Sequence, residues 1–379
     1  MNNGRERGTT RPGVSNGQFN PAVLQNDQPG EVRLFLAGMQ PDTKSAVSLA
    51  NPRAVAGRPS VKAPSAAGAT ASGGTQQWNT QTSNFTTNIS SVAYGNGVWV
   101  AGGLAGTLRT STNDGVTWNT QTSNFGASII SAVAYGNGVW VAAGSGGALR
   151  TSTNDGVTWN TQTSNFGASI IYSVAYGNGV WVAGGAGGAL RTSTNDAVTW
   201  NTQTSNFTTI INSVAYGNGV WVAVGQAGTL RTSTDNAVTW NTQTSNFTTS
   251  ILSVAYANGV WVAGGFGGTL RTSTNNAVTW NIQTPNFGSS AIYKVVYGNG
   301  VWVAGGGVVG TLRTSTNNAV TWNIQTPNFG SSAIFAVAYG NGVWVAAGGG
   351  GALRTLSDAP SYFPVNLQSS YNVAGYLNQ

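Results

Sequence analysis

The sequence contains no cysteine and no histidine, and only 7% of its 379 residues are charged. The first absence removes disulfides and thiolate metal sites, and the second removes the commonest general base and the commonest metal ligand. Gly, Ser, Thr, Asn and Gln abound, so the surface must be built from neutral polar side chains, a kind that suits glycans and tight protein packing. The net charge of +7 divides into +4 for residues 1–77 (eight basic, four acidic) and +3 for the rest (eight basic, five acidic). No run of Lys or Arg reaches the density of a nucleic-acid patch, so no nucleic-acid partner is expected. The first 30 residues lack an apolar h-region. No apolar stretch approaches the roughly 18 residues that span a bilayer. Neither a signal peptide nor membrane insertion is expected, and the lack of cysteine fits any compartment.

What is present is repetition. Trp78, Trp118, Trp159, Trp200, Trp240, Trp280 and Trp322 each open the phrase W-N-(T/I)-Q-T-(S/P)-N-F, at spacings of 40, 41, 41, 40, 40 and 42 residues. That period matches one four-stranded propeller blade and is too long for a single hairpin. Within the first repeat the pattern predicts strand A at residues 91–94, a Gly-Asn-Gly turn at 95–97 and strand B at 98–101. Strand C follows at 107–110, then a turn at 113–115 and strand D from Val116. Asn-Gly between two β-rich runs is a strong hairpin signal. Strands A and B read as apolar on both faces, the pattern expected where each sheet is covered on both sides.

The last A-B-C unit, ending Leu353-Arg354-Thr355-Leu356, has no W-N-T-Q-T strand after it, whereas the first such strand, at Trp78, precedes any blade. Joining the two removes the open sheet edges. The expected fold is therefore all-β: a seven-bladed β-propeller of four-stranded antiparallel blades (78–357), closed by an N-terminal outer strand. An extended low-complexity arm (1–77) precedes it and a tail (358–379) follows. The arm shows no sustained period, and by itself it cannot offset its ordering entropy. Its apolar island, Val32, Leu34, Phe35 and Leu36, is the candidate partner-binding segment. The tail's Tyr362, Phe363, Tyr371 and Tyr376 fit either packing on the wheel or reaching a neighbour.

The C-to-D turn reads Ser111-Thr112-Asn113-Asp114-Gly115-Val116-Thr117-Trp118 and recurs at Ser152, Asn154, Gly156 and Trp159. It resembles the Asp-box, or BNR repeat, S-x-D-x-G-x-T-W, with Asn113 and Asn154 where that family usually has Asp. Later copies decay, with Ala197 for Gly and then Asp235-Asn236-Ala237. The resemblance implies a folding role: polar side chains close the hairpin and the Trp packs in the blade. Sialidases that share this repeat use an arginine cluster, a Tyr nucleophile with a Glu partner and an acidic acid/base residue. Here the wheel has no Glu, and Asp114, Asp155, Asp196 and Asp235 all lie in these turns. Arg109, Arg150, Arg191, Arg231, Arg271, Arg313 and Arg354 recur once per blade, as scaffold residues do. A glycosidase needs two carboxyls flanking one bond, and no such pair stands out. No catalytic residue, metal or cofactor is expected.

Chain direction places the D-to-A and B-to-C connections on one face, and nearly all length variation lies there. That rim either meets a partner or is merely unconstrained. The ligand-binding candidates on it are Gln226 and Phe266 in B-to-C loops, Tyr172, Tyr293 and Phe335 at the entry to strand A, and Lys294, the wheel's only Lys. Aromatic rings beside neutral amides suit a glycan, and an aromatic at a strand start equally suits packing. The S-N-F and P-N-F phenylalanines are assigned to the core.

Near-verbatim repeats fused to a low-complexity arm look like a virion protein of a tailed bacteriophage, tail-associated or capsid-decorating. That organisation implies a non-enzymatic structural protein made in the host cytoplasm and resident in the virion. Residues 1–77 would bind other virion proteins in a homo-oligomeric assembly, and the wheel would meet virion partners or host-surface glycans. The alternative is a free glycan-binding lectin with repeated pockets between blades. A third possibility, an intracellular assembly factor resembling the photosystem II stability-factor propellers, leaves the arm unexplained.

Overall fold

A computed structural model describes residues 77–307 and 309–358 in full and the backbone of 23–28 and 31–35. The chain divides into two units, residues 1–70 and 71–379. In the first, Val23–Gln28 pairs antiparallel with Glu31–Phe35, with Leu24 opposite Leu34 and Val23 opposite Phe35. Val32, Leu34 and Phe35 thus belong to a strand, while Leu36 lies outside the described residues. This short hairpin lies within the expected arm, where sequence periodicity did not announce it. The strands are separated in sequence by Pro29-Gly30, a turn-forming pair, and the partner strand is too polar to announce itself by periodicity.

The second unit is a ring of seven four-stranded antiparallel sheets. Blade one consists of strand A (Ile89–Gly95), B (Val98–Gly103), C (Leu108–Ser111) and a short D (Asn119–Thr120). Asn96 and Gly97 form the A-to-B turn with φ of 49° and 80°, the two positive values that a type I′ hairpin needs. A single 3-10 turn, Leu104–Gly106, joins B to C. Strand D begins at Asn119 and not at Val116, because residues 112–118 are consumed by the turn. Strands A and B are each longer than their sequence signal.

Strand B is buried along its whole length in six blades, and only Val301 departs from this in the sixth. Strand A behaves differently. In blade one Ile89, Val92 and Gly95 are buried, and the other four residues are half-buried. The prediction that A is covered on both faces is therefore corrected: it is the innermost strand, and one side borders the central opening. The core lies between blades. Val98, Val100 and Leu108 of blade one pack against Phe125, Ile130, Val133 and Trp140 of the next repeat. The blades are joined by these seams, each one apolar.

Closure follows the offset of the repeats. Asn79–Thr80 pairs with Leu353–Ser357, Asn79 opposite Thr355 and Thr80 opposite Arg354. Trp78 is buried with Trp344 and Leu356. The strand nearest the start of the wheel thus completes the last blade, and that sheet is not left three-stranded.

Candidate binding face

On the turn face, repeated polar groups satisfy one another. Ser111 Oγ donates to Asn113 Oδ1 at 3.0 Å and accepts from the Gly115 N–H at 3.1 Å. Asn113 Oδ1 also accepts from the Thr117 N–H at 3.0 Å, and Trp118 Nε1 donates to the Gly115 carbonyl at 2.8 Å. Ser152, Asn154, Gly156 and Trp159 repeat these bonds in blade two. In blade four Asp235 replaces the amide. Burial opposes its ionisation, but the hydroxyls of Thr239 and Ser233 and the N–H groups of Thr239 and Val238 outweigh that cost and bring its pKa from 3.8 to about 2.

The same turns also tie neighbouring blades together. The Asn of each A-to-B turn donates to the C-to-D turn of the next blade: Asn96 to Asp155, Asn137 to Asp196, Asn178 to Asn236, Asn218 to Asn276 and Asn258 to Asn318. Asn341 to Asp114 crosses the point of closure. At the sixth seam Asn299 donates to Asp358, which the sequence placed in the tail. Burial, then the adjacent Asp358, pushes the Tyr339 phenol up. Five bonds near 2.8 Å, one of 2.6 Å and one of 3.3 Å thus join all seven seams.

The once-per-blade arginines are also held by the scaffold, although some of their N–H groups, Arg109 Nε and Nη1 among them, meet no acceptor. Arg109 lies over the Phe85 ring with its guanidinium carbon 4.5 Å from the centroid, and its Nη2 donates to the Asn84 carbonyl at 2.7 Å. The arrangement recurs from Arg150 on Phe125 to Arg354 on Phe329. Partial desolvation lowers these guanidinium pKa values, though an arginine remains charged at neutral pH.

The opposite face is where the blades differ. Strand A reads I-S-S-V-A-Y-G in blade one, and its second residue becomes Ser131, Tyr172, Asn212, Leu252, Tyr293 and Phe335 in the others. These seven positions, with Asn88, surround one cavity of about 300 Å³ at the mouth of the central opening. Tyr293 and Phe335 pack there as a tilted pair, centroids 5.5 Å apart at 57°. Asn212 Nδ2 donates to the Ile251 carbonyl of the next blade at 2.8 Å. Asn88 Oδ1 accepts from the Gly350 N–H at 3.0 Å. Ser131 Oγ is buried without a hydrogen-bond partner.

Of the six ligand candidates, the structure brings Tyr172, Tyr293 and Phe335 together at this mouth. Gln226 and Phe266 open the B-to-C turns of blades four and five and do not line it, although Phe266 is 46% exposed. Lys294 follows Tyr293 on strand A, where sibling blades place serines that bond the next blade, as Ser253 Oγ does with the Val295 N–H. Its surface is half-buried, yet enough protein surrounds it that desolvation pushes its ammonium pKa down. Asn88, Ser90, Ser131, Asn212 and Leu252 escaped sequence reasoning as site residues. A search for aromatics alone overlooks them, whereas the second position of strand A, the most varied of its seven, reveals four of the five.

No protein-family model and no curated protein matches the chain. Among solved structures, YCF48 bound to D1 peptide aligns at TM-score 0.63 and 14% identity, covering 74% of this chain and 94% of that one. YCF48 from Cyanidioschyzon merolae gives 0.62 and 15%, covering 74% and 98%. The WD40 β-propeller domain of Doa1 gives 0.63 and 14%, covering 76% and 98%. At these identities the likeness shows the β-propeller fold alone.

Proposed function

We propose that the chain is a non-enzymatic structural and attachment protein of a tailed-phage virion. Residues 1–77 anchor it to neighbouring subunits, and the propeller presents its D-to-A face to a virion partner or the host surface. The observation that carries this reading is a division within the wheel. Repeated charged and amide groups are spent on seams and turns, whereas the unrepeated ring around Tyr172, Tyr293 and Phe335 bonds little of the scaffold.

Two further features support the non-enzymatic part. Asp114, Asp155, Asp196 and Asp358 accept bonds from turn asparagines, and Asp235 closes its own turn. All five therefore sit on the face opposite the cavity, and among the described residues no pair of carboxyls flanks it. The Asp-box reading of the C-to-D turns is consistent with Ser111, Asn113, Gly115 and Trp118 bonding within one turn.

YCF48, which shares the fold, is described as bound to a D1 peptide, so a propeller of this fold can serve recognition. The lectin reading is favoured by the aromatic and amide residues at the mouth, as a single central site in place of repeated pockets between blades. An antibody against residues 78–357 should label intact tailed particles from a producing lysate by electron microscopy. Labelling confined to free protein would contradict the virion assignment.

A further inference from the structure

We propose that the cavity at the central opening binds one neutral sugar ring, stacked on an aromatic arc and hydrogen-bonded along a polar one. The inference deepens the attachment half of the function proposed above. It is tested by direct sugar binding, so failure of the virion assignment would leave it standing.

The sequence marks the site by asymmetry. Strand A keeps Ile at its first position, Val at its fourth and Tyr at its sixth through all seven blades, whereas its second position keeps no one residue. Instead that residue changes in chemical kind around the ring. The changes are also sorted in space. Leu252, Tyr293 and Phe335 come from consecutive blades five, six and seven and form a continuous apolar arc. Ser90 and Ser131 come from blades one and two, with Tyr172 and Asn212 completing the circuit and Asn88 beside it.

A pyranose has the matching two-sided chemistry, an apolar C–H face and a rim of hydroxyls. Its apolar face fits against the Tyr293 and Phe335 rings, which are fixed relative to each other at 5.5 Å. Its hydroxyls meet groups the protein leaves unmet. Asn212 spends its amide hydrogen on Ile251, which leaves its oxygen to accept. Asn88 spends its oxygen on Gly350, which leaves its N–H₂ to donate.

Size and charge narrow the class. A volume of about 300 Å³ lies at the lower end of the roughly 300–1,000 Å³ typical of small-molecule sites, enough to seat one sugar ring inside the mouth. None of the residues lining the cavity is charged, so a carboxylated sugar would enter without a lining counter-ion. The site is thus assigned to the neutral end of a glycan.

Saturation-transfer NMR on the full chain tests this. The probes are galactose, glucose, mannose and N-acetylglucosamine at millimolar concentration, with N-acetylneuraminic acid and acetyl-Leu-Phe-amide as comparisons. The expected result is transfer to at least one neutral sugar, weakened about tenfold by Phe335→Ser or Tyr172→Ser and blocked by Ser131→Phe. These exchanges place at one blade a residue that a sibling blade already carries, and thermal melting verifies that each variant folds. Transfer to none of the neutral sugars, transfer only to the acid or the peptide, or binding unchanged in all three variants would each overturn the proposal.

Discussion

Asn341 and Asp114 lie 227 residues apart in sequence, yet Asn341 Nδ2 donates to Asp114 Oδ1 at 2.9 Å and seals blade seven to blade one. The bond uses the same turn positions as the other seams, so closure is chemically one more repeat. Asn341 also has φ of 49°, a left-handed conformation that Asn and Gly tolerate best.

The first prediction separates that bond from the turn. Asn341→Gly keeps the positive φ but loses the donor, and is expected to lower unfolding free energy by about 1 kcal/mol. Asp114→Asn should change it by less than about 0.5 kcal/mol, because Asn236, Asn276 and Asn318 accept the same bond at three other seams. Urea unfolding of both variants provides the comparison.

A second prediction concerns pH. Asp235 has its pKa depressed to about 2 from an ordinary 3.8, so the folded state holds the carboxylate form more strongly than the unfolded state does. Its contribution is therefore fully present above about pH 4 and is lost as pH falls through 2. Asp235→Asn should leave stability near pH 7 almost unchanged, since the five sibling turns carry Asn at that place. The variant should flatten the decline of the urea midpoint between pH 4 and 2.

The seams were only partly legible in the sequence. Strand order, the type I′ turns and closure through Trp78 follow from periodicity and Asn-Gly signals, because these are local and repeated. The ring from Asn96 to Asp155 joins residues 59 apart, and no local pattern announces such a partnership. Asp358 was assigned to the tail for the same reason, although it stands in for the missing seventh turn. At the variable face, aromaticity pointed to Tyr172, Tyr293 and Phe335, which the ring brings to one cavity. Gln226, Phe266 and Lys294 share that rim in the chain but not its cavity, since distance from the axis is a property of the assembled ring.

Packing at the inner strand yields a third prediction. A Cβ on Gly95 would lie 2.2 Å from Tyr135 Cγ, and Gly340 meets Tyr94 in the same way. Blade five carries Ala257 at this place, so one methyl is tolerable where the neighbouring ring can shift. Gly95→Ala is expected to cost about 1 kcal/mol and Gly95→Val about 3 kcal/mol, read as successive falls in denaturation midpoint.

The arginines give a fourth. Arg109→Lys keeps the charge but removes the planar stack on Phe85 and the fork that reaches the Asn84 carbonyl. A loss of about 1 kcal/mol is expected, with glycan binding at the mouth unaffected. A variant of normal stability and altered binding would instead make Arg109 a recognition residue.

The account rests on a split between an anchoring segment and a recognising wheel, and deletion of residues 1–70 tests it most directly. Full-length and truncated protein, each labelled, are supplied to assembling particles, and incorporation is measured on purified virions. The predicted result is a folded propeller that no longer enters particles. Incorporation of the truncated protein at the full-length level would contradict the account.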